Sequence, residues 1–320
     1  MINLRKKDFM SLILLNIALV GCGGSSSSSD TSSGIIDITN KTFTNKSANC
    51  EDYVASYSST STDVQNDNDF TGALTISTEN GKCIFTSNII PNHNFNASGD
   101  FAEATAEQSS SSVEITSSPA VASSVTYLAV DDNGIFLNGV KLSIRSAGCY
   151  GVGDGSIGCN KSDQPFRYDP LGATGHFGAD EHNAHTQPGG AYHYHGSPLA
   201  MYDQTGSVES PVIGFARDGY PIFGSYFTDN GSVRKAVSSY QLKSGTRSAV
   251  IFEGTTYNPS GTYDGTYVDD WKYVEGAGDL DECNGMTVDG VYGYYVIDAF
   301  PWVLNCYKGT PDDSFGHTAP

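Results

Sequence analysis

Apolar residues fall in short runs along this chain, and no stretch keeps a helical period long enough for a packed helix. Val, Ile, Thr and Tyr dominate the runs, while Gly, Asn and Asp separate them, the pattern of strands joined by tight turns. Strands are expected over 73–77, 83–90, 112–115, 125–130, 135–142 and 191–195, the last after the turn Pro188-Gly189-Gly190. The best place for a helix is 234–241, and it is short. Residues 103–124 are rich in Ala, Ser and Glu and read as a loose connection. The segment DVQNDND at 63–69 lacks the Gly and the distal Glu of a calcium loop and reads as a solvated turn. The fold expected is mainly β: a single large disulfide-stapled β-rich domain with few short helices.

One apolar stretch is of another kind. Leu12 to Val20 follows the basic residues Arg5, Lys6 and Lys7. It falls short of the about 20 apolar residues that span a bilayer, and it fits the apolar core of a signal peptide. It ends in Leu19-Val20-Gly21-Cys22, which resembles the lipobox of bacterial lipoproteins. Residues 1–21 are therefore expected to be a signal peptide, with Cys22 as the lipidated residue and 22–34 as a Gly/Ser tether. Gly23, in place of Asp, points to the outer membrane. The expected location is extracytoplasmic, lipid-anchored to a bilayer through acyl chains on Cys22.

Charge and cysteines agree with that compartment. The formal charge is −19, and removing 1–21 takes away three basic residues and one acidic residue, giving −21. So acidic a chain excludes nucleic acid as a partner and permits a cation or a small-molecule ligand. Six cysteines remain beyond Cys22, an even number that in an exported chain suggests three disulfides. Pairing between neighbours in sequence is expected: Cys50–Cys83, Cys149–Cys159 and Cys283–Cys306. The Gly-rich loop GCYGVGDGSIGC makes the second the best supported. No pair has CxxC spacing.

Five of the seven histidines lie within twenty residues: His176, His182, His185, His193 and His195. On a strand over 191–195 side chains alternate, so His193 and His195 share one face while Tyr192 and Tyr194 share the other. Two imidazoles on one face can converge on one ion, and the preceding loop returns His182 and His185 toward the same end. Neutral imidazole suits copper, zinc, nickel and non-haem iron. Acid–base chemistry without a metal, and hydrogen bonding within a polar core, are the other roles such a cluster can play.

The segment has a second copy. Asp180-Glu181-His182-Asn183-Ala184-His185-Thr186 precedes Tyr192-His193-Tyr194-His195, and Asp281-Glu282-Cys283-Asn284-Gly285-Met286-Thr287 precedes Tyr292-Gly293-Tyr294-Tyr295. The frame D-E-x-N-x-x-T, a Gly-bearing turn and Y-x-Y are kept, and all four histidines are replaced. The frame is read as a loop-plus-strand unit, with Asn183 and Asn284 as turn formers, and the histidines as a function added to one copy.

GGAYHYHG, preceded by NAHTQP and followed by VIGFARDGYPIFG, resembles the bacterial YHYH-domain family. IPNHNFN, IFLNGVKL, GDLDECNG and FPWVLNCYKG match further, over about residues 83–309. The resemblance implies one domain over 83–309, preceded by a β-rich extension over 35–82 and followed by a tail over 310–320. It draws His93 toward the site and offers Asp218 as a carboxylate that orients a histidine. It implies no activity. Copper or zinc is expected on His185, His193 and His195, completed by His93 or His182, with Asp218 and Asn183 behind them. The alternatives are an extracytoplasmic module binding glycan or peptide through its tyrosines, and a metal-free hydrolase using His and Asp218.

Overall fold

The computed structural model describes residues 34–96, 110–187 and 189–316. The segment expected to be a signal peptide, Cys22, all of the expected tether but Gly34, Pro188 and the last four residues lie outside these, as do residues 97–109. Among the described residues no helix is long and apolar enough to cross a membrane.

The first sheet is β1 (Ile36–Asp37), β2 (Ala55–Asp63), β3 (Asn68–Glu79), β4 (Lys82–Ser87) and β5 (Ser111–Thr116), in that spatial order. Strand β3 shows why it forms. Gly72, Leu74 and Ile76 are buried, while Thr71, Ala73, Thr75 and Ser77 face solvent, the period of two of a half-buried strand. Asn80 and Gly81, at φ 51° and 75°, close the β3–β4 hairpin in the left-handed region that Asn and Gly tolerate. Asp63 makes the segment 63–69 a turn, accepting from the amides of Gln65 and Asn66.

Strand β6 (Thr126–Tyr127) follows, and then six strands of the second sheet: β7 (Gly134–Phe136), β8 (Lys141–Leu142), β9 (Ala184–Thr186), β10 (Tyr192–Tyr194), β11 (Val212–Ala216) and β12 (Pro221–Phe223). Three short pairs come next from β13 (Tyr226–Asp229), β14 (Ser232–Lys235), β15 (Tyr240–Leu242), β16 (Val250–Phe252), β17 (Thr255–Tyr257) and β18 (Trp271–Tyr273). Strands β19 (Gly285–Val288) and β20 (Val291–Tyr295) complete the second sheet, and β21 (Cys306–Tyr307) pairs with β6. The helix expected over 234–241 is absent: the end of β14 and the start of β15 occupy that span. The strand expected over 135–142 is a hairpin, because Asn138-Gly139 turns the chain with Gly139 at φ 84°.

The eight-stranded sheet has the order β19-β20-β12-β11-β7-β8-β10-β9. Read from either end it is the same: an antiparallel hairpin, then a strand parallel to it, then that strand's antiparallel partner. The duplicated segments are its two outer hairpins. The duplication also extends inward, at an offset of 80 residues. Gly134 corresponds to Gly214, Asn138-Gly139 to Asp218-Gly219 and Leu142 to Ile222, with matching turn bonds from Gly139 N to Phe136 O and from Gly219 N to Ala216 O. Ile135 and Phe215, equivalent by that offset, are paired across the centre of the sheet.

Both sheets feed one core. Phe85 of β4 lies 6.2 Å from Phe215 of β11 between ring centroids, and Tyr53 lies 5.6 Å from the same ring. All three expected disulfides are present: Cys50–Cys83, Cys149–Cys159 and Cys283–Cys306. The five-stranded sheet takes strands from both sides of residue 83.

Candidate metal centre

Asp180 builds the loop before β9. Its Oδ1 accepts from the amides of His182 and Ala184 at 2.9 and 3.3 Å, and its Oδ2 accepts from the Tyr192 hydroxyl at 2.7 Å and the Asn96 amide at 3.0 Å. Asn183 takes φ 58°, a left-handed position that Asn tolerates. Its carbonyl accepts from the His195 amide at 2.8 Å, and its Nδ2 donates to the Ser197 carbonyl at 2.9 Å. The result is a fixed register in which His185 on β9 is the direct cross-strand partner of His193 on β10. His195 follows on the same face as His193.

The three rings meet. Nε2 of His195 lies 3.1 Å from Nε2 of His193 and 3.1 Å from Nε2 of His185. Ring centroids are 4.7 to 4.8 Å apart for all three pairs, at interplanar angles of 75° to 78°, so the rings form a three-bladed propeller. The opposite edges are turned outward. Nδ1 of His185 donates to the Gly178 carbonyl at 2.8 Å, and Nδ1 of His193 faces the Ala191 carbonyl at 3.3 Å. A carbonyl only accepts, so these rings carry their proton on Nδ1 and present a bare Nε2 to the centre. Burial pushes the imidazolium of His185 below its ordinary range. It does the same to His195, more strongly, aided by the adjacent His193 and His185. Both are held in the neutral form that binds metals.

The residues fit a transition-metal ion. Metal–nitrogen bonds of about 2.0–2.1 Å place two nitrogens on one ion about 3–3.4 Å apart, which brackets the 3.1 Å observed. Among the described residues His185, His193 and His195 are the one group of three or more donors so arranged.

His93 and His182 are not brought to this group. They lie together beside the strand's tyrosines, with ring centroids 3.9 Å apart. His93 accepts the Tyr194 hydroxyl on Nε2 at 2.5 Å and donates from Nδ1 to the Asn94 carbonyl at 2.7 Å. The alternation that sends His193 and His195 to one face sends Tyr194 to the other, and His93 follows Tyr194. His176 is elsewhere again, stacked on Tyr168 at 4.0 Å.

Asp218 does not orient a triad histidine. It stands in the Asp218-Gly219 turn of the other half, where it accepts from the Tyr294 hydroxyl at 2.6 Å and the Gly309 amide at 2.9 Å. It is the counterpart of Asn138, whose Nδ2 donates to the Tyr194 hydroxyl at 2.9 Å. Among the described residues the hydrogen bonds of Asp218 go to Tyr294, Tyr220 and Gly309 and to no histidine. Of the 19 tyrosines, only Tyr127 and Tyr273 are exposed, and eight more are half-buried.

The second copy keeps the frame and loses the centre. Asp281 Oδ1 accepts from the amides of Cys283 and Gly285, and Asn284 sits at φ 69° with its Nδ2 on the Tyr295 carbonyl. Met286 faces Gly293 where His185 faces His193. A Cβ on Gly293 would stand 2.4 Å from the Phe223 ring, so an aromatic side chain fills the place of the second histidine. Cys283, at the place of His182, is bound to Cys306 and is no ligand.

Residue types and spacing could reveal the triad but not its support. No local pattern marks the Gly178 carbonyl as a positioning group, whereas the D of the repeated D-E frame is the signal for Asp180. The family model described as YHYH protein matches residues 112–309, more than half of the chain. No curated protein and no solved structure matches the chain.

Proposed function

The chain belongs to the YHYH protein family, and from that premise we propose that the histidines of its eponymous motif, with His185, hold a copper or zinc ion in a protein of the cell envelope. One observation carries the reading. His195 Nε2 touches two other Nε2 atoms, and a neutral imidazole carries at most one proton there. In its plane that nitrogen carries either one proton or one lone pair, so it donates to only one of its two neighbours or sets a lone pair against both, and a cation on the axis turns these contacts into three bonds. Three neutral imidazoles leave further coordination positions to a ligand from outside, the pattern of a working site more than a structural one. Such an ion supplies Lewis acidity or, if copper, one-electron chemistry.

The chain's own residues do the rest. Gly178 and Ala191 fix the tautomers of His185 and His193. Asn183 sets the backbone of His195, and Asp180 holds the loop. The envelope location rests on the Leu19-Val20-Gly21-Cys22 motif, and three disulfides support it, since they persist in oxidising compartments.

Elemental analysis of untagged protein tests the reading. One equivalent of copper or zinc is expected, lost in His193→Ala plus His195→Ala and kept in Tyr295→Ala. Absence of metal in the purified protein, together with no uptake by apo-protein, would end it.

A further inference from the structure

The two halves of the eight-stranded sheet allow an internal comparison: residues kept in both build the frame, and residues changed together with the histidines point to the function. On the triad face, the cross-strand partner of His193 on β8 is Lys141. Ser143 is two residues further along, beside His195, and its amide donates to the Tyr194 carbonyl. Asp132 ties the two together, accepting from Lys141 Nζ at 2.7 Å and from Ser143 Oγ at 2.6 Å. At the offset of 80 residues their equivalents are Val212, Pro221 and Phe223. The carboxylate, the ammonium and the hydroxyl all disappear from the half that has lost its histidines. The turn glycine and the buried partner of the second tyrosine, Asn138 or Asp218, stay in both. An ion pair needed only to hold the sheet would be expected in both halves, as those are.

We infer that Lys141, held in place by Asp132, which Ser143 steadies with its hydroxyl, forms the wall of the histidine centre that recognises a small oxyanion of the carboxylate or phosphate class. This rests on the metal reading above. Lys141 carries three N–H donors, and Asp132 engages its ammonium from one side. The side chains of Lys141 and Asp132 are only 18% and 9% exposed, so charge here is less screened than on the surface. A divalent cation on neutral imidazoles adds positive charge that none of its three ligands cancels. Asp132 is not among the grouped donors, which leaves that charge to an exogenous anion. With a formal charge of −19, the chain repels anions in general, so an anion site here needs local positive charge, which the bound ion supplies because Asp132 already offsets Lys141, while Lys141 supplies N–H donors.

The test uses the full chain loaded with copper(II), titrated with inorganic phosphate and, separately, with acetate, followed by the visible and electron paramagnetic resonance spectra of the copper and by calorimetry. Saturable binding at one equivalent is expected for at least one of the two anions. Lys141→Met should weaken it by at least about tenfold, as the loss of a hydrogen bond to a charged group does, with copper content unchanged and a lower unfolding midpoint, because Asp132 loses its cation. Lys141→Arg should restore most of the affinity, and Lys243→Met should have no effect. Binding that is equal in the wild type and Lys141→Met overturns the inference, as does copper uptake with no response to either anion. Failure to take up copper removes the metal reading, and this inference with it, a result distinct from the other two.

Discussion

His185 and His193 are held from behind by backbone carbonyls, and the tyrosines of the same strand are held as well. Tyr194 donates to His93 and accepts from Asn138, all within the buried core. Tyr194→Phe leaves His93 Nε2 without its hydroxyl, and it should lower the unfolding free energy by about 1–3 kcal/mol, the cost of a buried polar atom deprived of its partner. Metal content should not change, because that hydroxyl faces away from the triad. Urea unfolding with parallel metal analysis checks both halves of the prediction. Loss of metal in Tyr194→Phe would show that the two faces of β10 are coupled. The alternation of side chains on this strand was legible from five letters. The identity of the tyrosines' partners was not, since His93 is 101 residues from Tyr194 and no local pattern joins them.

At the scale of the element, the outer hairpins are the same object put to two uses. In one, the loop presents His182 and the strands present the triad. In the other, the loop cysteine is tied to Cys306 and Phe223 packs where the second imidazole would be. Removing the disulfide by Cys283→Ser plus Cys306→Ser should cost about 3 kcal/mol, the loop-closure effect for a loop of this size, and should leave metal binding intact. Thermal unfolding and metal analysis of the double variant measure this. Grafting histidines into the second hairpin through Met286→His, Gly293→His and Tyr295→His should destabilise the protein and create no second site, because any side chain at 293 meets the Phe223 ring. A second equivalent of bound metal would refute that. The repeat itself was visible in the frame D-E-x-N-x-x-T and Y-x-Y, whereas its inward extension from Gly134 and Gly214 was not, being carried by three or four short residues per copy. The expected helix over 234–241 failed for a related reason: eight residues, of which only Ala236, Val237 and Tyr240 are apolar, carry too few turns to define a period, and pairing with other strands decided their form.

For the whole molecule, buried histidines set the response to acid. Burial beside His182 depresses His93 from 6.5 to about 3, and burial also depresses His185 and His195. Unfolding releases these rings to their ordinary value, so the unfolded chain binds more protons below pH 6.5, and stability falls as pH drops through that window toward about 3. Asp169 acts in the opposite sense. Burial raises it from 3.8 to about 6, so its contribution weakens as pH rises through that range. Burial raises Asp218 and Asp269 as well, but His182 is depressed alongside the other three histidines, and hydrogen bonds that lower Glu209 and Asp279 act in the histidines' sense, so the net slope follows the histidines. Unfolding midpoints of apo-protein in urea should fall steadily from pH 7 to pH 4, and less steeply in His93→Gln. A flat profile would contradict the burial of these rings.

The sequence by itself determined what depends on neighbours along the chain: the β class from its short alternating runs, the faces of β10 from a period of two, the pairing of cysteines across short loops, and the repeat. Only the tertiary structure decided which histidines share a point. His185, His193 and His195 converge because an antiparallel register sets two of them opposite each other and a left-handed Asn183 sets the third. His93 and Asp218, brought in by motif alone, belong to the other face and the other half. Spacing constrains direction along a strand, but distance across a sheet is set by pairing and packing, and these are written in no single segment.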